Sequence, residues 1–455
     1  MRTWIRRKII AAAVAYCMAG GILTGCSSRK AEDSGKNAKM EIEARALADY
    51  PKEPVYNTDE ERWDRERELR SGIEARFLEA YESFIVSTAS ALLCESSDNV
   101  VYSPLGLYYA LAIAAEGAAG ENEIEILQLL NYGEKESLAA DCQSSFQAIY
   151  HVPNEKNNKP GEGGEYPSGS RYTLTLANSL WADTSVPLKK EFVSRAAEYF
   201  YADIFTGDLH SGQTAEAMAD WVKERTNGLI APPADAVGAE TVLSLKNTMY
   251  FYDEWLDRFD KEKTKVDTFT CADGTEVTCD FMNRTMASHG FRRGENYTMS
   301  LLSLKNGAVE FYLPDVGTNV HELVKDSETL RRVTEGTEGS GMGEVVWKIP
   351  KFSYGSSTKM EDMLKELGMQ AAFEENADFS GISDSRPIWL SAVSQEAHIG
   401  IDENGVEAAA YTELSWAGAA LPTERADMIL DRPFLYVIKN RGMVIFVGIC
   451  ENPAE

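Results

Sequence analysis

The chain has 455 residues, of which 44% are hydrophobic, and its formal net charge is -27. Length alone favours two domains, while a surface this acidic repels nucleic acid and argues against attachment to a membrane through a polybasic patch. Only five histidines occur, and no spacing typical of metal ligands is present, so no metal site is predicted.

Residues 1–25 have the pattern of a secretory signal peptide. Four basic residues precede an apolar run from Ile9 to Leu23, which is short for a membrane span. The following Leu23-Thr24-Gly25-Cys26 is similar to the bacterial lipobox, in which the cysteine is lipidated and becomes the first mature residue. The sequence therefore predicts a bacterial lipoprotein that is anchored through Cys26 at the cell envelope and faces away from the cytoplasm. The alternative is a signal peptide with an incidental cysteine.

The next part of the chain combines a polar segment with the first regular elements. Residues 26–74 are polar and predict a tether or an N-terminal arm. Apolar residues from Phe77 to Leu92 recur at helical spacing and predict an amphipathic helix, and Val100–Tyr102 is predicted as a short strand. Ser103 caps a helix that starts at Pro104 and is apolar nearly all round, so this helix is expected at the centre of the domain.

Later segments alternate between strands, helices and one insertion. Residues 153–171 are rich in glycine and proline and predict a disordered surface loop. A strand from Tyr172 to Trp181, a helix from Thr214 to Thr226 and a strand from Leu243 to Phe251 follow. Apolar runs around Asn440-Arg441-Gly442 predict a buried hairpin that closes the chain. Long strands with segregated helices indicate an α+β domain.

Five cysteines follow Cys26, an odd number without a C-x-x-C pair. Cys271 and Cys279 flank the predicted turn Asp273-Gly274, and a two-residue turn would pair Cys271 with position 276. Free thiols are therefore expected, not a disulfide framework.

The stretch from Ile401 to Pro422 combines a glycine, a run of alanines and the alternation of a strand. From Val406 onward one parity contains only uncharged residues, whereas the other contains Glu407 and Glu413. Period-two patterning places one set of side chains against a sheet and the other in water. The same residues also fit an alanine-rich helix followed by a loop, so alone they leave both interpretations open.

Seven motifs, in the family's order, resemble those of serpins over roughly residues 75 to 453. The segment from Asp402 to Ala410 resembles the hinge of the reactive-centre loop, and Asn99–Leu105 resembles a strand that leads into a helix. The other matches are Asn247–Phe251 followed by Trp255 and Phe259, then Leu313–Asp315, Ile349–Phe352, Ala377–Gly381, and Asp431–Phe434 with Gly448 and Asn452-Pro453.

The resemblance implies an α+β domain over residues 75–455, with three β-sheets, about eight or nine helices and an exposed reactive-centre loop. It also implies a monomeric inhibitor of serine-type endopeptidases, without turnover and without a cofactor. In the family's mechanism the protease cuts the loop and forms an acyl-enzyme. The hinge side of the loop then inserts as a strand into the main sheet, and the attached protease is deformed before it can deacylate.

The resemblance also assigns roles to individual residues. The reactive bond joins Ala419 to Ala420, and a small residue there favours elastase-like or subtilisin-like targets; a different loop length would move the bond to Leu414 or Leu421 and favour chymotrypsin-like enzymes. The hinge consists of Glu403, Gly405, Val406, Glu407, Ala408, Ala409 and Ala410. The region where the central strands part contains Ser103, Asn247, Trp255 and Gln395.

Two residues depart from the family's pattern in that region. Gly106 stands where serine is usual, and Gln395 stands where histidine is usual, so we expect a different hydrogen-bond network and a change in how easily the sheet opens. The loop itself suits insertion, because it has no proline from Gly405 to Leu421 and no charge on the parity of Val406. The alternative function is that of a non-inhibitory binding serpin.

Enzyme motifs occur only in incomplete form. Ser356–Lys359 fits S-x-x-K and Ser97–Asn99 fits S-D-N of penicillin-binding enzymes, but their order is reversed and no K-T-G follows. His321-Glu322 lacks the second histidine of H-E-x-x-H. Hydrolase chemistry is therefore set aside.

Overall fold

A computed structural model describes residues 42–54, 58–94, 97–152, 172–234, 237–238, 241–325, 330–331, 341–384, 387–391, 393–406 and 424–455. The predictions for the signal peptide, Cys26, the 153–171 insertion and the loop from Glu407 onward, including Ala419 and Ala420, lie outside the described residues. Within these ranges, no helix combines the length and the apolar character needed to cross a membrane.

The described part contains nine helices. They are α1 (Asp59–Ser71), α2 (Ala75–Leu93), α3 (Pro104–Gly117), α4 (Gly120–Leu129), α5 (Lys135–Ile149), α6 (Lys190–Tyr199), α7 (Gly212–Arg225), α8 (Val320–Lys325) and α9 (Glu361–Glu366). Helix α3 is central, because all of its residues are buried. Its start follows the predicted cap, since the Ser103 hydroxyl accepts a hydrogen bond of 3.1 Å from the amide of Gly106 and Pro104 occupies the first turn.

Sixteen strands are described. They are β1 (Glu43–Ala46), β2 (Val100–Tyr102), β3 (Thr173–Asp183), β4 (Ala202–Gly207), β5 (Leu243–Glu254), β6 (Lys265–Thr270), β7 (Glu276–Arg293), β8 (Tyr297–Ser303), β9 (Gly307–Pro314), β10 (Gly341–Pro350), β11 (Phe352–Lys359), β12 (Ser394–Asp402), β13 (Gly405–Val406), β14 (Arg425–Ile429), β15 (Phe434–Asn440) and β16 (Met443–Cys450).

Seven strands form the main sheet, in the order β1-β4-β3-β5-β13-β12-β11. One face of this sheet packs against α3. On the other face, Trp181 and Phe205 from β3 and β4 form an apolar cluster with Met218, Trp221 and Val222 of α7. Helices therefore cover both faces of the centre of the sheet.

The remaining nine strands are joined by the long β7, which pairs with β6, β10 and β8 along its 18 residues. One layer is β14-β10-β7-β6, and the other continues from β7 through β8-β9-β15-β16-β2. Together with the main sheet these layers confirm the predicted α+β class with three sheets. The closing hairpin of β15 and β16 also forms as predicted, with Arg441 and Gly442 at its turn in the left-handed region.

One predicted register is wrong by one residue. The amide of Cys271 donates to the carbonyl of Thr275 at 2.8 Å, and Thr270 pairs with Glu276, so position 276 does not pair with Cys271. The turn contains three residues instead of two, with Gly274 at φ 83°. The five cysteines in the described ranges are free thiols, as expected.

The arm predicted for residues 26–74 contains structure that its polar composition does not indicate. Strand β1 pairs antiparallel with β4 and extends the edge of the main sheet. The amide of Ala48 then donates to a carboxylate oxygen of Asp203 at 3.0 Å, and a carboxylate oxygen of Glu53 lies 2.9 Å from Nε2 of His151. Residues 42–54 are therefore attached to the domain.

Candidate functional site

The two central strands of the main sheet, β5 and β12, are in direct contact at one end only. In the described part of the sheet, their parallel pairing is confined to Asn247 with Gln395 and Thr248 with Glu396. At the other end the short β13 lies between them and pairs antiparallel with both. The distance along β5 between these two junctions is about 20 Å at roughly 3.3 Å per residue.

Between the two junctions a cleft separates β5 from β12. It is lined by Met249, Tyr250 and Phe251 of β5, His398, Ile399 and Gly400 of β12, Val406 of β13, and Phe446. Thr226, Leu229 and Ile230, which follow α7, line it from the side of that helix. Residues on the parity of Met249 and Phe251 form an apolar floor with Ile399 and Phe446, so the cleft suits one extended segment whose inward side chains are small and uncharged.

The hinge residues that are described already belong to the sheet. Gly405 pairs with Glu254, and Val406 pairs with Asp253 on one side and Ile401 on the other. A Cβ atom at Gly405 would lie 2.4 Å from the carbonyl oxygen of Asp253, so only glycine allows this approach. The Val406 side chain is 2% exposed. The described part of β13 therefore lies at one end of the cleft, with Val406 facing inward as its parity predicts.

Glu403 and Trp255 hold the turn before the hinge. The Glu403 carboxylate accepts a 2.8 Å hydrogen bond from the Thr264 hydroxyl and lies 3.1 Å from the Lys351 ammonium. Burial alone would raise the pKa of Glu403, but a backbone amide, Thr264 and Lys351 together lower it below its usual value. The Trp255 indole donates to the carbonyl of Asp402 at 2.8 Å. Trp255 is thus more than core packing, because it fixes the backbone just before the hinge.

Two carboxylates beside the hinge are missed by the sequence analysis. Asp253 is 1% exposed and accepts hydrogen bonds from the backbone and side-chain amides of Asn306 at 2.8 and 3.1 Å. Glu254 forms ion pairs with Arg258, at 3.2 Å, and with Lys305. The only feature of the sequence that points to Asp253 and Glu254 is that two acidic residues follow an apolar strand directly before Trp255. Their partners are distant in the chain, so the pattern alone could not identify them.

The stability of the hinge region is expected to depend on the protonation of Asp253. Burial raises the pKa of this carboxyl to about 6, against about 4 for an unfolded aspartate, so the folded state binds the proton more strongly. Its contribution to stability is fully present below pH 4 and is lost as the pH rises through 6, by about 3 kcal/mol in total. Because Asp253→Asn cannot ionise, its Tm relative to the wild type should rise between pH 4.5 and 7.5. A constant difference over that range would contradict the assignment.

Ser103, Asn247 and Gln395 meet at the opposite end of the cleft. The Gln395 amide accepts from the Ser103 backbone amide at 2.6 Å and donates to the Ser103 carbonyl at 3.0 Å. The Asn247 amide donates to the side-chain oxygen of Asn178 at 2.7 Å. Gln395 therefore ties β12 to the start of α3 through two hydrogen bonds, which is how this chain joins the two elements where the family has histidine.

The predicted site residues within the described ranges thus form two groups. Glu403, Gly405, Val406 and Trp255 lie at one end of the cleft, and Ser103, Asn247 and Gln395 lie at the other.

A sequence model of the family described as "Serpin (serine protease inhibitor)" matches residues 79–453. The chain belongs to the serpin family.

Individual serpins show how broad the similarity is. Serpin-Z1C of Triticum aestivum is 30% identical over 389 residues, which cover 81% of this chain and 94% of that relative. The thermophilic serpin tengpin in its native state has a TM-score of 0.73 at 25% identity, covering 90% of this chain and 98% of tengpin. Human thyroxine-binding globulin, solved in complex with thyroxine, has a TM-score of 0.69 at 23% identity, covering 83% and 100%, a likeness of fold alone.

Gly106 lies so close to Asn247 and Gln395, at the closed end of the cleft, that a side chain at this position would collide with them. A Cβ atom there would lie 2.1 Å from the side-chain oxygen of Asn247 and 2.9 Å from the amide nitrogen of Gln395. We therefore expect Gly106→Ala to lower the free energy of unfolding by about 1–3 kcal/mol, and Gly106→Ser to do the same. Thermal and urea denaturation of the intact protein measure this.

Gly212 provides the matched control for Gly106. It is also in the first turn of a helix, but a Cβ atom there would meet no other atom within 4 Å. Gly212→Ala should therefore leave the stability unchanged or raise it slightly. Equal stability of the Gly106 and Gly212 variants would show that Asn247 and Gln395 can move away at little cost.

The residues of the incomplete enzyme motifs have structural partners in this serpin. The Ser356 hydroxyl hydrogen-bonds to the carbonyl of Val101, which joins β11 to β2. Asn99 holds the C-terminal segment, because its side-chain oxygen accepts from the amides of Glu451 and Asn452 at 2.8 and 2.9 Å. His321 lies 3.0 Å from the Glu451 carboxylate, which raises the histidine pKa.

Proposed function

We propose that this serpin inhibits its serine protease as a suicide substrate. The protease would cut the loop that follows Val406, at the bond between Ala419 and Ala420, and remain attached to it as an acyl-enzyme. The cleaved loop would then enter the main sheet between β5 and β12. The observation that carries the proposal is the cleft with an apolar floor, at whose end Gly405 and Val406 are paired with both flanking strands.

Insertion at this cleft has a clear physical driving force. An added strand makes backbone hydrogen bonds to both neighbours and buries small side chains on the apolar floor. Deacylation requires the protease's triad and oxyanion donors in a narrow geometry, so deforming the attached enzyme leaves the acyl bond intact. The free energy gained when the loop joins the sheet therefore deforms the attached protease, so that the acyl complex persists.

The target is inferred from the residues of the reactive bond. Ala419 and Ala420 are small, and a small residue before the cleaved bond fits a shallow specificity pocket. Elastase-like or subtilisin-like proteases are the proposed partners, bound one to one through the covalent acyl linkage to a monomeric inhibitor. No turnover is proposed.

Lipidation at Cys26 would place the inhibitor at the bacterial cell envelope, outside the cytoplasm. The support is the lipobox-like Leu23-Thr24-Gly25-Cys26 after a basic and apolar leader. Cells grown with labelled palmitate should incorporate the label into the wild type and not into Cys26→Ser. Labelling of both proteins would overturn the anchor assignment.

The test of inhibition uses the full chain with a panel of serine proteases. We expect an SDS-resistant complex with elastase or subtilisin, a cut between Ala419 and Ala420 by mass spectrometry, and a large rise in Tm after loop cleavage. Release of active protease together with an unchanged Tm would overturn the proposal and favour a non-inhibitory binding serpin.

A further inference from the structure

The short strand β13 fixes the register in which the following residues would enter the cleft. Antiparallel pairing advances one residue on each strand at every step. Continuing the ladders of Gly405 and Val406 along both neighbours places residue 412 opposite Asn247 on β5 and opposite Gln395 on β12. Asn247 and Gln395 already pair with each other, so the two ladders converge on a single insertion path.

The same register places Glu413 opposite Lys246, on the face of the sheet that Val406 does not occupy. Directly opposed residues in antiparallel strands share a face, and their Cβ atoms lie about 5 Å apart. Lys246 is half-buried on β5, and burial lowers its pKa while the nearby Glu396 raises it. The Glu396 carboxylate accepts a 2.6 Å hydrogen bond from the Ser357 hydroxyl, and among the described ion pairs none includes Lys246.

Insertion changes the surroundings of Lys246. Adjacent strands lie about 4.8 Å apart, so a strand between β5 and β12 moves Glu396 away from Lys246 by about one such spacing. The half-buried ammonium then loses its nearest carboxylate just as Glu413 arrives opposite it. We propose that Lys246 is a positioning residue for the inserted loop, which it holds in register by an ion pair with Glu413; this rests on the loop insertion proposed above.

The pairing specifies register as well as stability. A slip of one residue would turn Glu413 toward the apolar floor, and a slip of two would place Tyr411 or Ser415 opposite Lys246. Glu407, the other outward acidic residue of the loop, is placed by the same register opposite Tyr252 and Gly400. It therefore serves as a control carboxylate that does not reach Lys246.

A double-mutant cycle on the full chain tests this pairing. The variants are Lys246→Glu, Glu413→Lys and the double exchange, and Tm is measured for each before and after loop cleavage. In the cleaved form each single variant should lower Tm by roughly 2 °C or more, and the double exchange should restore most of the loss. In the intact form the effects of the two substitutions should be additive. Lys246→Met, which keeps the length without the charge, replaces Lys246→Glu if that variant does not fold.

The outcomes separate this inference from the proposed function. Additive effects in the cleaved form, with the wild type still stabilised by cleavage, would overturn the Lys246 assignment and leave loop insertion standing. The Lys246 assignment would also be overturned if Glu407→Lys restored the Tm of Lys246→Glu to the same extent as Glu413→Lys does. A wild type whose Tm does not rise after cleavage would overturn loop insertion itself.

Discussion

Val406→Arg is expected to abolish stable inhibition while the protease still cuts the loop. Val406 is 2% exposed, and it lies between β5 and β12 above the floor that includes Phe251 and Phe446. An arginine there must either bury an unpaired charge, at a cost of several kcal/mol, or keep the strand out of the cleft. In the proposed mechanism insertion competes with deacylation, and each 1.4 kcal/mol on the insertion barrier changes the insertion rate about tenfold.

The measurement is the number of inhibitor molecules consumed per protease molecule inactivated. We expect an increase of at least about tenfold for Val406→Arg, loss of the SDS-resistant complex, and a cut loop in the product. Val406→Ala keeps an uncharged inward residue and should remain an inhibitor. Glu407→Arg places the same charge on the adjacent outward position and should also inhibit. Unchanged inhibition by Val406→Arg would show that the hinge is assigned wrongly.

Local patterns in the sequence predict the elements on which this site is built. The cap at Ser103 and the apolar run after it identify α3, and the alternation from Leu243 to Phe251 identifies β5 with the correct inward face. The family's motif order then indicates the hinge, and the structure places Gly405 and Val406 in the sheet with the predicted parity. These features depend on residues close together in the chain, which is why sequence periodicity can detect them.

The features that the sequence does not predict depend on distant partners. The buried position of Asp253 becomes evident only from its hydrogen bonds with Asn306. The cleft depends on β5 and β12, which are far apart in the chain and pair directly at one end only. The effect of Gln395 could be anticipated as a changed network but not as two bonds to Ser103. Side-chain geometry of this kind has no period along the chain, so it requires the folded structure.

Asp203→Ala is expected to destabilise the intact protein by about 3–5 kcal/mol. Asp203, on β4, is 1% exposed and receives three donors, namely Arg225 at 2.5 Å, the Trp221 indole at 3.0 Å and the backbone amide of Ala48 at 3.0 Å. The Arg225 guanidinium also stacks 4.7 Å from the ring centre of Tyr50. One carboxylate thus connects the N-terminal arm, the edge of the main sheet and α7, and its removal leaves the Arg225 charge buried without a counter-charge.

Chemical denaturation of Asp203→Ala and amide hydrogen exchange at Ala48 measure the two parts of this effect. We expect a lower free energy of unfolding together with faster exchange at Ala48, because its acceptor is lost. Asp203→Asn keeps an acceptor for Ala48 but not the charge, so it should restore protection there and only part of the stability. Asp64→Ala breaks an exposed ion pair with Arg67 at 3.1 Å and should cost less than about 1 kcal/mol. Equal losses for Asp203→Ala and Asp64→Ala would mean that water reaches Arg225 and that the arm is held by contacts other than the one with Asp203.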